Sequence, residues 1–178
     1  METISRFITR KLKLKVNQSK SKVDRPWRSK FLGFRIVVGK ETKRYIAPES
    51  LWRFKRRVRE MTCYGRGVTV ERMIEKLNSY LIGWRGYFGY CQTPWVLQGL
   101  DSWIRHRLRC VYWRRWKRGK KRFAQLRKRG VSKDLAAQTA GSVRGPWRIS
   151  RGIALSIAFP NTHFNLIGLA SLAKQRTA

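Results

Sequence analysis

Asp101-Ser102-Trp103-Ile104-Arg105-His106-Arg107-Leu108-Arg109-Cys110-Val111-Tyr112-Trp113-Arg114-Arg115-Trp116-Lys117-Arg118 alternates arginines with large aromatics and contains a single acid. Its apolar positions continue a helical spacing that begins upstream, Leu97, Leu100, Ile104, Leu108 and Val111, so one stripe is core and the remainder is cationic. That is the composition of a helix that faces nucleic acid. The whole chain repeats the theme, with 42 Lys+Arg against 9 Asp+Glu, a formal net charge of +33 and 8 tryptophans in 178 residues. Such a charge repels itself in a compact state unless a polyanion neutralises it. A site that contacts roughly 6 to 10 phosphates would lose about three to five orders of magnitude in affinity between 50 and 200 mM salt.

The composition also excludes several classes. Hydrophobic residues make up 42% and aromatics 12% of the chain, enough for a core and unlike a disordered basic tail. Cys63, Cys91 and Cys110 are odd in number and widely spaced, with only His106 and His163 to help, so neither a zinc site nor a disulfide framework is indicated. They read as reduced thiols. The N-terminus lacks the apolar run of a secretory signal, and no stretch approaches the roughly 18 apolar residues of a membrane span. The expectation is a soluble, cytoplasmic protein with no membrane partner.

Outward from the basic stretch, the chain reads as mainly α, with a small N-terminal β-hairpin followed by a basic helical bundle. Residues 2–10 suit a short helix. Lys11 to Val16 alternates strictly and predicts a strand that buries Leu12, Leu14 and Val16. Phe31 to Val38 and Lys43 to Ile46 flank a turn-like Gly39-Lys40-Glu41-Thr42 and predict the hairpin, with Phe31 and Phe34 in its core and Gly33 allowing close approach of a nucleic-acid backbone. Pro48 opens a basic helix that Gly65-Arg66-Gly67 ends. Thr69 caps the next, whose buried stripe is Val70, Met73, Ile74, Leu77, Leu81, Trp84 and Phe88. Gly83, Gly86 and Gly89 mark close approach by a helix or by RNA, or fraying. Thr93 and Pro94 start the helix quoted above. Short helices at 123–128 and 133–140 follow, the second capped by Ser132, and a weakly charged tail, Trp147 to Leu172, suggests a helical pair covering the bundle.

Four blocks of this sequence resemble the group II intron reverse transcriptase/maturases. Leu12 to Lys22 with Phe31-Leu32-Gly33-Phe34 is similar to the last motifs of the reverse-transcriptase palm. Arg53 to Glu60, then Leu77-Asn78 to Gly83-Trp84-Arg85-Gly86-Tyr87-Phe88, then Leu100 to Arg105, resemble the maturase-specific domain, which serves as the thumb. Trp113 to Lys117 and the tail resemble its C-terminal continuation. The resemblance implies three parts: 1–47 as the end of the palm, 48–128 as the thumb or maturase-specific helical domain, and 129–178 as a C-terminal helical extension.

It also implies a partner, structured group II intron RNA, and a role, assisting splicing that the RNA itself catalyses. In the family the polymerase metals sit in a Tyr-Ala-Asp-Asp motif. No Asp-Asp pair exists in this sequence, so no catalytic residue, metal ligand or cofactor is assigned, magnesium belonging to the intact polymerase or to the ribozyme. Asp101 is expected to pair with nearby arginines. The expectation is a fragment that starts downstream of the polymerase site and is not an enzyme on its own. Other readings are the C-terminal part of an RNA-directed DNA polymerase that acts with a separate N-terminal half, and a non-specific RNA chaperone.

Expected RNA contacts are Lys13, Lys15, Lys20 and Lys22 on the N-terminal segment; Arg53, Lys55, Arg56, Arg57 and Arg59 on the first thumb helix; Arg85 in the glycine-rich motif; and Arg105, Arg107, Arg109, Arg114, Arg115, Lys117 and Arg118 on the later helix. Trp113 and Trp116, set among these cations, are the expected base-stacking groups, while Trp84, Phe88 and Trp103 are expected in the core.

Overall fold

The computed structural model describes residues 2–17, 19–21, 23–39, 41–63 and 68–173. These form two compact units, the first ending at Ser50 and the second beginning at Leu51. In the first, helix α1 (Glu2–Lys11) precedes a short 3-10 turn (Pro26–Arg28) and a three-stranded antiparallel sheet in chain order, β1 (Lys30–Phe31), β2 (Phe34–Val37) and β3 (Lys43–Ile46). Phe34 stands opposite Ile46, and Arg35 lies opposite both Lys30 and Tyr45.

The predicted hairpin is therefore present but divided. Leu32 and Gly33 both take positive φ, 49° and 77°, the backbone of a tight two-residue turn, which splits 31–38 into two strands. Phe31 next to this turn is exposed rather than core. Gly33 serves the turn and the start of the next helix: its carbonyl accepts from the Ala47 amide (2.9 Å) and from Ser50 Oγ (3.1 Å). The strand expected at 11–16 does not form. A strand needs a ladder neighbour, and the amides of Leu12 and Leu14 instead donate back to the Ile8 carbonyl at 3.2 and 3.3 Å. Lys13 takes φ 52°, and Leu12 and Leu14 lie exposed.

The second unit is helical. Helix α2 (Pro48–Met61), α3 (Val70–Phe88) and α4 (Pro94–Arg115) share a core of Phe54, Val58, Met73, Ile74, Leu77, Leu81, Leu97, Leu100, Ile104 and Leu108, all buried. Phe54 joins the layers by stacking on Tyr80 and tilting against Trp84, with ring centroids 5.7 and 4.5 Å away. Each such side chain contributes roughly 1.5–3 kcal/mol by leaving water. Helix α2 ends at Met61; the glycines expected to end it, 65 and 67, lie outside the described residues.

Thr69 caps α3 as expected, accepting from the Arg72 amide at 3.2 Å. Thr93 occupies the cap position of α4 without capping it. Pro94 has no N–H, and the Val96 amide is taken by the Thr93 carbonyl (3.0 Å), which leaves the buried Thr93 hydroxyl with no partner among the described residues. Ser132 likewise makes no side-chain cap bond.

Beyond α4 come α5 (Gly119–Lys128) and α6 (Lys133–Ala140), then three short helices rather than a pair: α7 (Pro146–Ile149), α8 (Ile153–Ala158) and α9 (Asn161–Leu166). They do more than cover the bundle. Leu155, Phe159 and Phe164 are fully buried, and Phe159 stacks on Tyr112 (4.1 Å) and Trp116 (5.7 Å) of the α4 end. The tail supplies part of a second core.

Candidate nucleic-acid interface

With so few acids, most cations cannot find carboxylates. Glu41 pairs with Lys43 (3.5 Å) and Glu60 with both Arg56 and Arg57 (3.2 Å each), all on the surface. The Arg57 and Arg56 guanidiniums beside Glu60 hold its carboxyl below the ordinary value. The second unit uses two other kinds of partner, backbone carbonyls and aromatic faces.

Arg109 Nε donates to the Phe159 carbonyl (2.9 Å) while its guanidinium lies 5.4 Å over Phe164. Arg122 Nε donates to the Trp116 carbonyl (2.8 Å) and covers Trp113 at 4.5 Å. Arg129 sits over both Trp116 (5.2 Å) and Phe159 (4.9 Å). Arg115 donates to the Val68 carbonyl. Burial pushes the guanidiniums of Arg109 and Arg129 below the ordinary arginine value, yet arginine stays charged. These side chains staple the second core together. Arg109 and Arg115, expected as phosphate contacts, are thus committed internally.

Trp113 and Trp116, expected to stack on bases, are 1% and 5% exposed and closed over by Arg122 and Arg129. Their position beside basic residues misled, because cations and indoles attract each other within a fold as well as across an interface.

A different group lies open on α2 and α4. Trp103 is half-buried, and three cations surround its ring: Lys55 at 5.9 Å and Arg59 at 5.6 Å from α2, and Arg107 at 5.8 Å from its own helix. Arg107 is held from two more sides, donating from Nε to Thr62 Oγ1 (2.9 Å) and lying 6.0 Å from Trp147. Burial lowers its pKa first, with Arg59 and Arg114 adding repulsion. On the next stripe of α2, Trp52 is 57% exposed with Arg56 5.5 Å over its ring. Trp147, 40% exposed, is fixed from behind by His106, whose Nε2–H donates to the Trp147 carbonyl at 2.9 Å and whose ring lies 3.6 Å from the indole. Three cations within reach of one indole, with no acid among its ring partners, make a concentrated positive patch rimmed by stackable rings.

Of the remaining expected residues, Arg53, Arg57, Arg114, Lys117 and Arg118 are exposed, Arg105 is half-exposed, and Arg85 donates to the Ser171 carbonyl (3.5 Å). Lys13, Lys15 and Lys20 are exposed in the first unit, and Lys22 lies outside the described residues. Asp101 is 4% exposed and pairs with no arginine among the described residues. It accepts from Ser171 Oγ (2.6 Å), the Leu172 amide (2.8 Å) and the Ala173 amide (3.2 Å).

Residues 51–130, from near the start of α2 to just past the end of α5, match the group II intron maturase-specific domain. This segment is a maturase-specific domain. No curated protein matches the chain. The match supports a group II intron maturase-type role, and the Trp103 cluster falls inside the matched residues, with Trp147 added from beyond them. The domain is not a closed body by itself, since Phe159 and Phe164 from outside the match complete the packing around Tyr112, Trp116 and Arg109. Among the described residues no three His, Cys, Asp or Glu side chains gather as metal ligands, and no helix is long and apolar enough to cross a membrane.

Proposed function

We propose that this chain binds structured group II intron RNA and assists its splicing, the RNA supplying the catalysis and the magnesium. The observation that carries the reading is the Lys55, Arg59 and Arg107 cluster around Trp103, inside the maturase-specific domain. Phosphates would sit on these cations and on Arg56 and Arg114, while Trp52 and Trp147 offer faces to unpaired bases. Residues 1–47 would then be the end of a reverse-transcriptase palm, on which Lys13, Lys15 and Lys20 are exposed. Polymerase chemistry is not part of the proposal, because two-metal catalysis needs clustered carboxylates and the sequence has no Asp-Asp pair.

The test is the salt dependence of binding to an intron RNA. Each lost phosphate contact flattens the log–log slope by about 0.7 to 0.9, so Lys55→Glu, Arg59→Glu and Arg114→Glu together should reduce it by about 2 to 3. An unchanged slope would remove this face from the interface.

A further inference from the structure

Helix α3 carries glycine at 83, 86 and, just past its end, 89. Each glycine inside a helix costs about 1 kcal/mol relative to alanine. Close packing would justify that cost, yet a Cβ added at Gly83 or Gly86 would meet nothing within 4 Å. No described segment fills the space.

Beside Gly86 and Gly89 opens a groove of about 740 Å3, lined on its other side by residues 168–171. Both walls are fixed. Asn78 holds the far one by its backbone, donating from Nδ2 to the Gly168 carbonyl (2.7 Å) and accepting at Oδ1 from the Ala170 amide (2.8 Å). Arg85 reaches across to the Ser171 carbonyl at 3.5 Å, and Asp101 ties down the residues that follow. Gly168 turns the chain into this path at φ 77°.

The lining has a definite chemistry. Leu81, Ile82 and Leu169 give an apolar floor, Tyr90 stands at the rim 74% exposed, Arg85 supplies a cation, and no acid lines the groove. The size lies within the roughly 300–1,000 Å3 of pockets that enclose small planar ligands. An apolar floor, an exposed phenol and one guanidinium in a strongly cationic protein match a base and its phosphate.

We infer that this groove takes an unpaired nucleotide of the bound RNA, its base against Gly86 and Tyr90 and its phosphate toward Arg85. The inference rests on the RNA-binding reading above and adds a single-strand site on another part of the same unit. A duplex keeps its bases stacked inside and could not present one here, whereas loops and bulges can.

The full chain is tested with two probes at about 150 mM salt, a 12-nucleotide single-stranded RNA and a blunt duplex of the same length. Gly86→Leu fills the groove, and Gly83→Leu, which is not among the lining residues, is the control; both remove a helix glycine and should melt no lower than the parent. Gly86→Leu and Arg85→Gln should each weaken single-strand binding about tenfold and leave duplex binding unchanged, with Gly83→Leu changing neither. Unchanged single-strand binding by Gly86→Leu would overturn the inference, as would equal losses on both RNAs. A parent protein that bound neither probe would instead sink the RNA-binding reading itself.

Discussion

Asp101→Ala should be one of the most destabilising single substitutions in this chain although Asp101 is not itself a candidate RNA contact. The carboxylate is nearly fully buried and accepts from Ser171 Oγ and the Leu172 and Ala173 amides at 2.6, 2.8 and 3.2 Å. Hydrogen bonds to a charged group contribute about 1.5–3 kcal/mol each, so three at the low end give about 4.5 kcal/mol. That is an upper figure, because bonds to one carboxylate are not additive and removing it relieves the desolvation of a buried charge; a loss of about 3 kcal/mol is expected. Water cannot cheaply replace the carboxylate, since the Leu172 side chain is itself buried and would have to leave the core. Asp101→Asn should lose at least half as much, its amide nitrogen facing donors. Urea unfolding at fixed salt measures the change through the midpoint, with the slope unaltered, and amide exchange at Leu172 and Ala173 locates it. A loss below about 1 kcal/mol, or unchanged exchange at Leu172, would refute the reasoning. Combining it with Arg105→Gln separates the two possible partners: independent additive losses fit backbone hooks, while a strong coupling would restore the arginine pairing that the sequence suggests.

Arg109→Gln and Arg129→Gln should each cost about 1–2 kcal/mol in unfolding free energy, from the lost bond to the Phe159 carbonyl (2.9 Å) or the Gln125 carbonyl (3.2 Å) and lost contact with the rings, while leaving the salt slope of RNA binding unchanged. Trp116→Ala should cost about 3–5 kcal/mol, whereas Trp52→Ala should leave the melting temperature within error and weaken RNA binding, a contrast read by calorimetry beside titration. Stability should fall as pH drops below about 6.5, the ordinary histidine value. Burial first lowers the folded-state pKa of both His106 and His163, so the unfolded chain binds more protons there, and the loss grows down through the folded values. His106→Gln with His163→Gln should flatten that fall, and melting curves between pH 7.5 and 5.5 follow it.

Much of the helical frame was legible because its signals are local. The period of Val70, Met73, Ile74, Leu77 and Leu81, the Thr69 cap and Pro48 each act within a few residues, and the structure places them accordingly. The strand at 11–16 had the right alternation and lacked a ladder partner, which no local pattern reveals. The Leu32-Gly33 turn was hidden because leucine rarely takes positive φ.

The interface was legible as a composition and less so as a set of residues. Which arginines are tied to the fold, and by what, is decided by partners 40 to 50 positions away, as for Arg107 with Thr62 and Arg109 with Phe159. Burial of Trp113 and Trp116 depends on α5 and on Phe159 in the same way. Trp52 could have been found from sequence, since it falls off the Phe54 and Val58 stripe of a helix whose other residues face water.

The most direct measurement is a competition at about 150 mM salt between a group II intron RNA and an unrelated RNA of equal length and structure. A maturase-type binder should prefer the intron at least tenfold, about 1.4 kcal/mol. Equal affinity for the two RNAs would contradict intron recognition and leave only the attraction of a strongly cationic chain for any polyanion.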